Sequence, residues 1–349
     1  MRPSGVYNVT YNQDIAIVRT RLQWVLLLAF LAFLVLMPML VSEFYVTQAS
    51  IIGYTAIAML GLQILFGYAG QISIGTAGFM AVGGFTSAIV MNRVGLNFFI
   101  ALPMAGVVAA LVGMVFGAPS VKIKGFYLAM ATLASFFIIS YVINNFPQLT
   151  GGTTGLTAPR PEIFGFVFDT ETKYYYLVVT LTVLLTFLAK NIVRSKAGRA
   201  FVAVRDNDIA AEVMGVNVFS YKLLAFAIGC FYAGIAGVLY VHKVEYVTIE
   251  FFQFFDNLWL LGFIVIGGMG QILGAILGAV VYRSLFLFMA LMAPKIEVFF
   301  PSLTGRISSG IGIIAAALVI ILFLVFEPRG LAFRWQLFKA SYRLHPFAY

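Results

Sequence analysis

Ten apolar stretches of about 12 to 23 residues recur along this chain, separated by polar or glycine-rich joints. They fall at about 24–42, 49–67, 71–91, 98–118, 125–143, 175–191, 223–242, 257–268, 271–293 and 307–326. A helix rises about 1.5 Å per residue, so roughly 20 apolar residues cross a hydrocarbon core of about 30 Å. Ten such runs leave little room for any architecture but a bundle of membrane helices. Composition agrees: 62% of the 349 residues are hydrophobic and 10% charged, against about half and a quarter in soluble domains. A soluble enzyme, a disordered chain and a disulfide scaffold are excluded. The run 257–268 is short, and reads as a full span borrowing its flanks or as a broken helix. The first run is longer than a signal-peptide core and is expected to be a retained helix.

The charges orient the bundle. With both ends inside, ten spans place 15 of the 22 Lys and Arg on inside segments and 6 outside, with Arg283 within a span. Cytoplasmic segments carry the basic excess, so this is the expected topology. The net charge of +9 is then a topology signal, not a nucleic-acid patch. The expected organisation is a cytoplasmic segment 1–22, a transmembrane domain 23–327 and a cytoplasmic tail 328–349. An external loop spans 144–174 and an internal one 192–222. Long ordered loops tend to carry function.

Covalent chemistry is absent. There is no G-x-x-x-x-G-K-[ST] for phosphates and no zinc-protease or serine-hydrolase motif. His242, His345 and Cys230 stand alone, as packing residues do. No Asp or Glu falls inside the ten runs, which argues against a proton-relay carrier but leaves sodium coupling open.

The internal loop 192–222 is polar and basic with a helical centre. Asp206 or Asn207 is placed to cap a helix, Ile209, Val213 and Val216 recur at helical spacing, and Gly215 is placed to end it. The small side chains of Ala210 and Ala211 give a flat side. Such a stripe docks on a partner or rests on lipid headgroups.

The stretch from Arg199 to Val218, with Arg205, Asp206, Asp208, Ala210, Ala211, Glu212 and Gly215, resembles the coupling segment of ABC-importer permeases. In those proteins an acidic-Ala-Ala-x-x-x-Gly pattern seats in a groove of the ATPase. Here Ile209 holds the acidic place and Asp208 lies one residue earlier. Residues 67–85, 149–156 and 266–279 are similar to the branched-chain (hydrophobic) amino acid permeases, of the longer LivM type. The resemblance implies a second homologous permease, two ATPase subunits and an extracytoplasmic binding protein as partners. It implies that ATP is used by the partners, with no cofactor on this chain.

Within the spans, Gly67–Ile72 and Gly267–Ile272 share the pattern G-x-x-G-Q-I, the sort of match an internal duplication leaves. Gly270, Gly274 and Gly278, and Gly229, Ala233 and Gly237, form small-residue ladders for close helix packing. Gly70, Gln71, Ser73, Thr76 and Thr132 are candidates to line the path or to bond across helices. Arg283 is expected near the midplane, where a charge costs about 2.5 kcal/mol or more without a partner; a substrate carboxylate is one. Thr150, Gly151, Gly152, Thr153, Thr154 and Gly155 offer hydroxyls and bare backbone to an external docking protein.

These readings converge on an all-α, multi-pass permease of the cell membrane. It is expected to form half of an ATP-driven import pathway for branched-chain or other hydrophobic amino acids. The same fold importing urea, amides or small carboxylates, and an ion-coupled secondary transporter, are the alternatives.

Overall fold

The structure, a computed structural model, describes residues 21–120, 125–163, 165–299 and 307–344. Most of the 1–22 segment, Lys122, Lys124 and His345 lie outside the described residues. The main helices are α1 (Arg21–Leu40), α2 (Glu43–Leu62), α3 (Thr76–Ile89), α4 (Phe98–Ser120), α5 (Phe126–Asn145), α6 (Glu171–Arg194), α7 (Lys196–Asp206), α8 (Asp208–Val213), α9 (Val218–Val244), α10 (Phe254–Gly267), α11 (Ile272–Phe299), α12 (Ile307–Phe326) and α13 (Leu331–Leu344). Among the described residues, eight helical stretches are long and apolar enough to cross a membrane. The other two expected spans are helices as well, α3 and α12.

Two expected boundaries move. The run 71–91 becomes helical only at Thr76, because residues 69–75 form an irregular segment; α3 then continues as a π-helical turn to Val94. The short run 257–268 extends backwards to a 3-10 turn at Ile249–Phe251, giving the apolar stretch Ile249–Gly267. That extension brings Asp256 into α10, and Glu43 and Glu171 open α2 and α6. The spans therefore do contain carboxylates, at their ends.

α9 is the centre of the bundle, with α2, α3 and α4 packed around it. Small residues make this possible. A Cβ on Gly61 would lie 2.6 Å from the Gly229 oxygen, one on Gly83 2.2 Å from that of Gly234, and one on Gly237 1.9 Å from that of Met80. Gly274 and Gly278 bring α11 equally close to Gly268 and Phe263. Both ladders thus work in packing within the chain. Cys230 and His242 are also packing residues: Cys230 is buried against Gly113, and His242 bonds the Pro159 oxygen at 2.7 Å and Ser87 Oγ at 3.1 Å.

In lipid every main-chain polar group needs a partner from the protein. Pro38 lacks the N–H that would bond the Leu34 oxygen one turn earlier, and the Tyr175 hydroxyl of α6 donates to that oxygen at 2.8 Å. At the buried start of α3, Thr132 Oγ1 accepts from the Ile74 N–H at 2.9 Å and Asn257 Oδ1 from the Ala77 N–H at 2.7 Å. The broken helix is tolerated because α5 and α10 complete its hydrogen bonds.

The segment between α5 and α6 is built from short hydrogen-bonded elements. Thr150 is buried, donates to the Ile143 oxygen at 2.6 Å and accepts from the Gly152 N–H at 3.2 Å. Strand β1 (Leu156–Thr157) pairs antiparallel with β4 (Tyr246–Val247) just past α9, while β2 (Glu162–Ile163) and β3 (Phe166–Val167) form a small hairpin. Arg160 pairs with Glu245 at 2.5 Å, and Lys243 pairs with Glu171. Hydrogen bonding to Lys173 holds the Asp169 carboxyl below its ordinary value.

Candidate functional site

The segment between α6 and α9 folds into two helices, not one. In α7, Ala200, Phe201 and Val204 are buried. Asp206 closes α7 and pairs with Arg205 at 2.8 Å, while Asn207 caps α8 by accepting from the Ala210 N–H at 3.0 Å. Gly215, with φ +84°, turns the chain into α9. The two alanines separate: Ala211 is buried and Ala210 exposed. The apolar stripe is also different from the spacing of the sequence. Ile209, Val213 and Met214 stand 68, 82 and 84% exposed, whereas Val216 is half-buried because the helix ends before it. Arg199 and Glu212 lie on the exposed surface of the same segment. Asp208 faces Lys222 at 3.5 Å.

Arg205 joins this segment to the transmembrane core. Its Nη1 donates to the Gly67 oxygen at 2.8 Å, and its stem lies so close to Gly70 that a Cβ there would be 2.7 Å from Cγ. A Cβ on Gly67 would be 2.7 Å from the Gly270 nitrogen. The two G-x-x-G-Q-I runs therefore meet at one end of the bundle, and Gly70 and Gly270 share a left-handed conformation, φ +70° and +74°. Their continuations differ: α3 begins at Thr76 and α11 at Ile272. Gln63 clamps the second turn, donating to the Gly268 and Gln271 oxygens at 3.1 and 3.0 Å. The C-terminal segment sits at this same end, with Gly330 against Gly268 and Gln336 bonded to Gln271 at 3.0 Å. Gln63 and Gln336 carry no motif of their own, and their role follows only from long-range proximity.

The path candidates do not form one site. Gly70 and Gln71 line a cavity of about 310 Å³ with Arg205, Asp206, Asp208 and Lys222. The Gln71 amide is buried with neither atom hydrogen-bonded among the described residues. Ser73 and Thr76 are buried in the contact between α3 and α9, and Thr132 is occupied in holding the segment before α3. Arg283 lies apart, about 17 Å along α11 at ~1.5 Å per residue. It lines a second cavity of about 340 Å³ between α2, α3, α9, α10 and α11. Asp256 lines the same cavity. The apolar run begins one residue after Asp256, so its place on the helix is not readable from hydropathy.

Between α5 and α6, Thr150 and Gly152 are buried, and Gly151 and Gly155 make main-chain contacts too close for a side chain. Thr153 and Thr154 remain exposed. The loop thus presents two threonines on a fixed turn.

Residues 41–304 match the family described as branched-chain amino acid transport system, permease component. The chain is 33% identical over 282 residues to the high-affinity branched-chain amino acid transport system permease protein LivM of Salmonella typhimurium, and equally to that of Escherichia coli. Each alignment covers 74% of this chain and 66% of the relative. A probable LivM of Methanocaldococcus jannaschii is 24% identical over 66% of this chain and 76% of its own length. No solved structure matches the chain. An all-α polytopic bundle, joined through Arg205 to the short helices α7 and α8 and matched over residues 41–304, belongs to the permease components of branched-chain amino acid transport systems.

Proposed function

We propose that this chain is one half of the translocation pathway of an ATP-driven importer for branched-chain or other hydrophobic amino acids. The observation that carries the reading is the internal segment: α8 and the residue after it hold Ile209, Val213 and Met214 out into solvent, while Arg205 of the adjoining α7 packs on both glycine turns of the core. An apolar stripe on a polar, basic surface fits the groove of an ATPase subunit. Each of two ATPases seats on one permease, this chain and a second homologous one. The chain lies in the cell (inner or plasma) membrane, in contact with lipid, with both termini cytoplasmic. ATP is bound by the partners, and nothing in this chain performs covalent chemistry.

Mechanically, closure of two ATP-loaded subunits draws the two α8 segments together. The pull passes through Arg205 to the Gly67–Ile72 and Gly267–Ile272 turns, which sit where α2 gives way to α3 and α10 to α11. A tilt of these helices opens the cavity beside Arg283 to the outside, where an extracytoplasmic binding protein delivers substrate at the turn carrying Thr153 and Thr154.

Purification in mild detergent tests the reading. Two ATPases and a second permease are expected to co-purify, and Ala210→Asp and Val213→Asp, both at exposed positions, to release the ATPases while the chain stays inserted. A complex that survives both changes overturns the coupling assignment.

A further inference from the structure

We infer that the cavity shared by Arg283 and Asp256 is a transit site for a free α-amino acid held as its zwitterion. This deepens the importer reading above and rests on it. The two charges come from different helices and line one cavity of about 340 Å³. Arg283 Nε donates to Gln48 Oε1 at 2.6 Å, and Gln48 is buried. That bond fixes the plane of the guanidinium and leaves its two terminal amino groups without a hydrogen bond among the described residues. A free fork of this kind matches a carboxylate, which accepts two parallel bonds.

Asp256 is held from its own side. Its Oδ2 accepts from the Gln253 N–H at 2.7 Å in the capping box of α10, and Oδ1 has no partner among the described residues. No ion pair joins it to Arg283 among those residues, so neither charge neutralises the other directly. An ammonium group suits the open oxygen. Tyr54, Tyr240 and Tyr282 line the same cavity.

The remaining wall is apolar and aromatic. Tyr54 and Tyr240 lie 5.5 Å apart by ring centroid, and Tyr240 meets Phe252 at 5.7 Å. A branched aliphatic side chain fits against these faces while the charged end of the ligand meets Arg283 and Asp256. The arrangement also separates cargo classes. A neutral amide such as urea leaves both charges unmatched, and a simple carboxylate leaves Asp256 unmatched.

The test uses the assembled complex in proteoliposomes with labelled leucine. Arg283→Gln and Asp256→Asn are each expected to lower ATP-driven uptake at least tenfold while ATPase co-purification persists, and Arg283→Lys to retain more uptake than Arg283→Gln. Because Asp256 also caps α10, a measurement on the unaltered complex accompanies the variants. Photo-leucine crosslinking followed by peptide mapping is expected to label residues 251–260 and 280–286, with label lost on excess leucine but not on excess 4-methylpentanoate. Near-normal uptake in assembled variants, label confined to other segments, or equal displacement by 4-methylpentanoate overturns the zwitterion site. Absence of ATP-driven leucine uptake by the unaltered complex, with no partner ATPase retained, removes the importer reading instead.

Discussion

The Arg205 guanidinium reaches the main-chain oxygen of Gly67 at 2.8 Å while its stem covers Gly70. One side chain thereby ties α7 to the point where α2 breaks, and Gly67 in turn rests on Gly270. A hydrogen bond from a charged donor contributes about 1.5–3 kcal/mol, enough to bias two arrangements of the turns roughly tenfold or more.

Arg205→Ala is therefore expected to uncouple the machine without dismantling it. ATPases still co-purify through α8, but leucine imported per ATP hydrolysed falls about tenfold. Arg205→Lys, which keeps the charge and loses the planar fork, lies between. Parallel measurement of uptake and phosphate release in proteoliposomes checks this; unchanged stoichiometry in Arg205→Ala means the contact carries no force.

Gly237→Ala is expected to be severe. A Cβ would lie 1.9 Å from the Met80 oxygen, and the obstacle is backbone, so α3 and α9 must separate. Overpacking of this kind costs about 1–3 kcal/mol and sometimes more. The melting temperature of the purified chain in detergent should fall by several degrees, whereas Ala210→Ser on the exposed face of α8 should leave it unchanged.

Tyr175→Phe leaves the Leu34 oxygen without a donor. Hydrogen bonds within membranes average about 0.6 kcal/mol in mutational cycles, so a modest loss of stability is expected. Pro38→Ala restores the helical N–H that Leu34 lacks. Added to Tyr175→Phe, it should recover most of that loss, and equal stability of the single and double variants would show that Tyr175 does not serve this carbonyl.

The external segment should resist mild acid. The Lys173 bond lowers the Asp169 carboxyl below its ordinary 3.8, with Arg160 adding to the effect. A group with a depressed folded value stabilises above its unfolded value and loses that contribution as pH falls through the folded one. Hydrogen-exchange protection around 166–173 is thus expected to hold from pH 7 to pH 5 and to decline only below 3.8. Asp169→Asn should remove this acid-dependent step.

Much of the architecture was legible because membrane helices advertise themselves locally. The expected run 223–242 lies inside α9, and 175–191 inside α6. The run 71–91 starts before its helix does, because Ile72 and Ile74 keep the segment 69–75 continuous with the apolar residues that follow. The irregular backbone there is seen in the left-handed Gly70 and in the Ile74 N–H, which donates to Thr132 Oγ1. Gln71, Ser73, Thr76 and Thr132 are polar residues within the spans and Arg283 is a charge there, and residue type alone does not separate Thr132, which holds the segment before α3, from Arg283, which lines a cavity.

By itself the sequence determined the class of solvent, the helical bundle, the basic segment 192–222 and the family, because hydropathy, charge and short motifs are properties of neighbouring residues. Tertiary structure decided what those residues meet. Gly67 touches Gly270 across 203 positions and Arg205 bridges them; Asp256 and Arg283 share one cavity. Such pairings arise when helices far apart in sequence pack at the few places where glycine lets backbones touch, and nothing in a local window specifies which helix will be the neighbour.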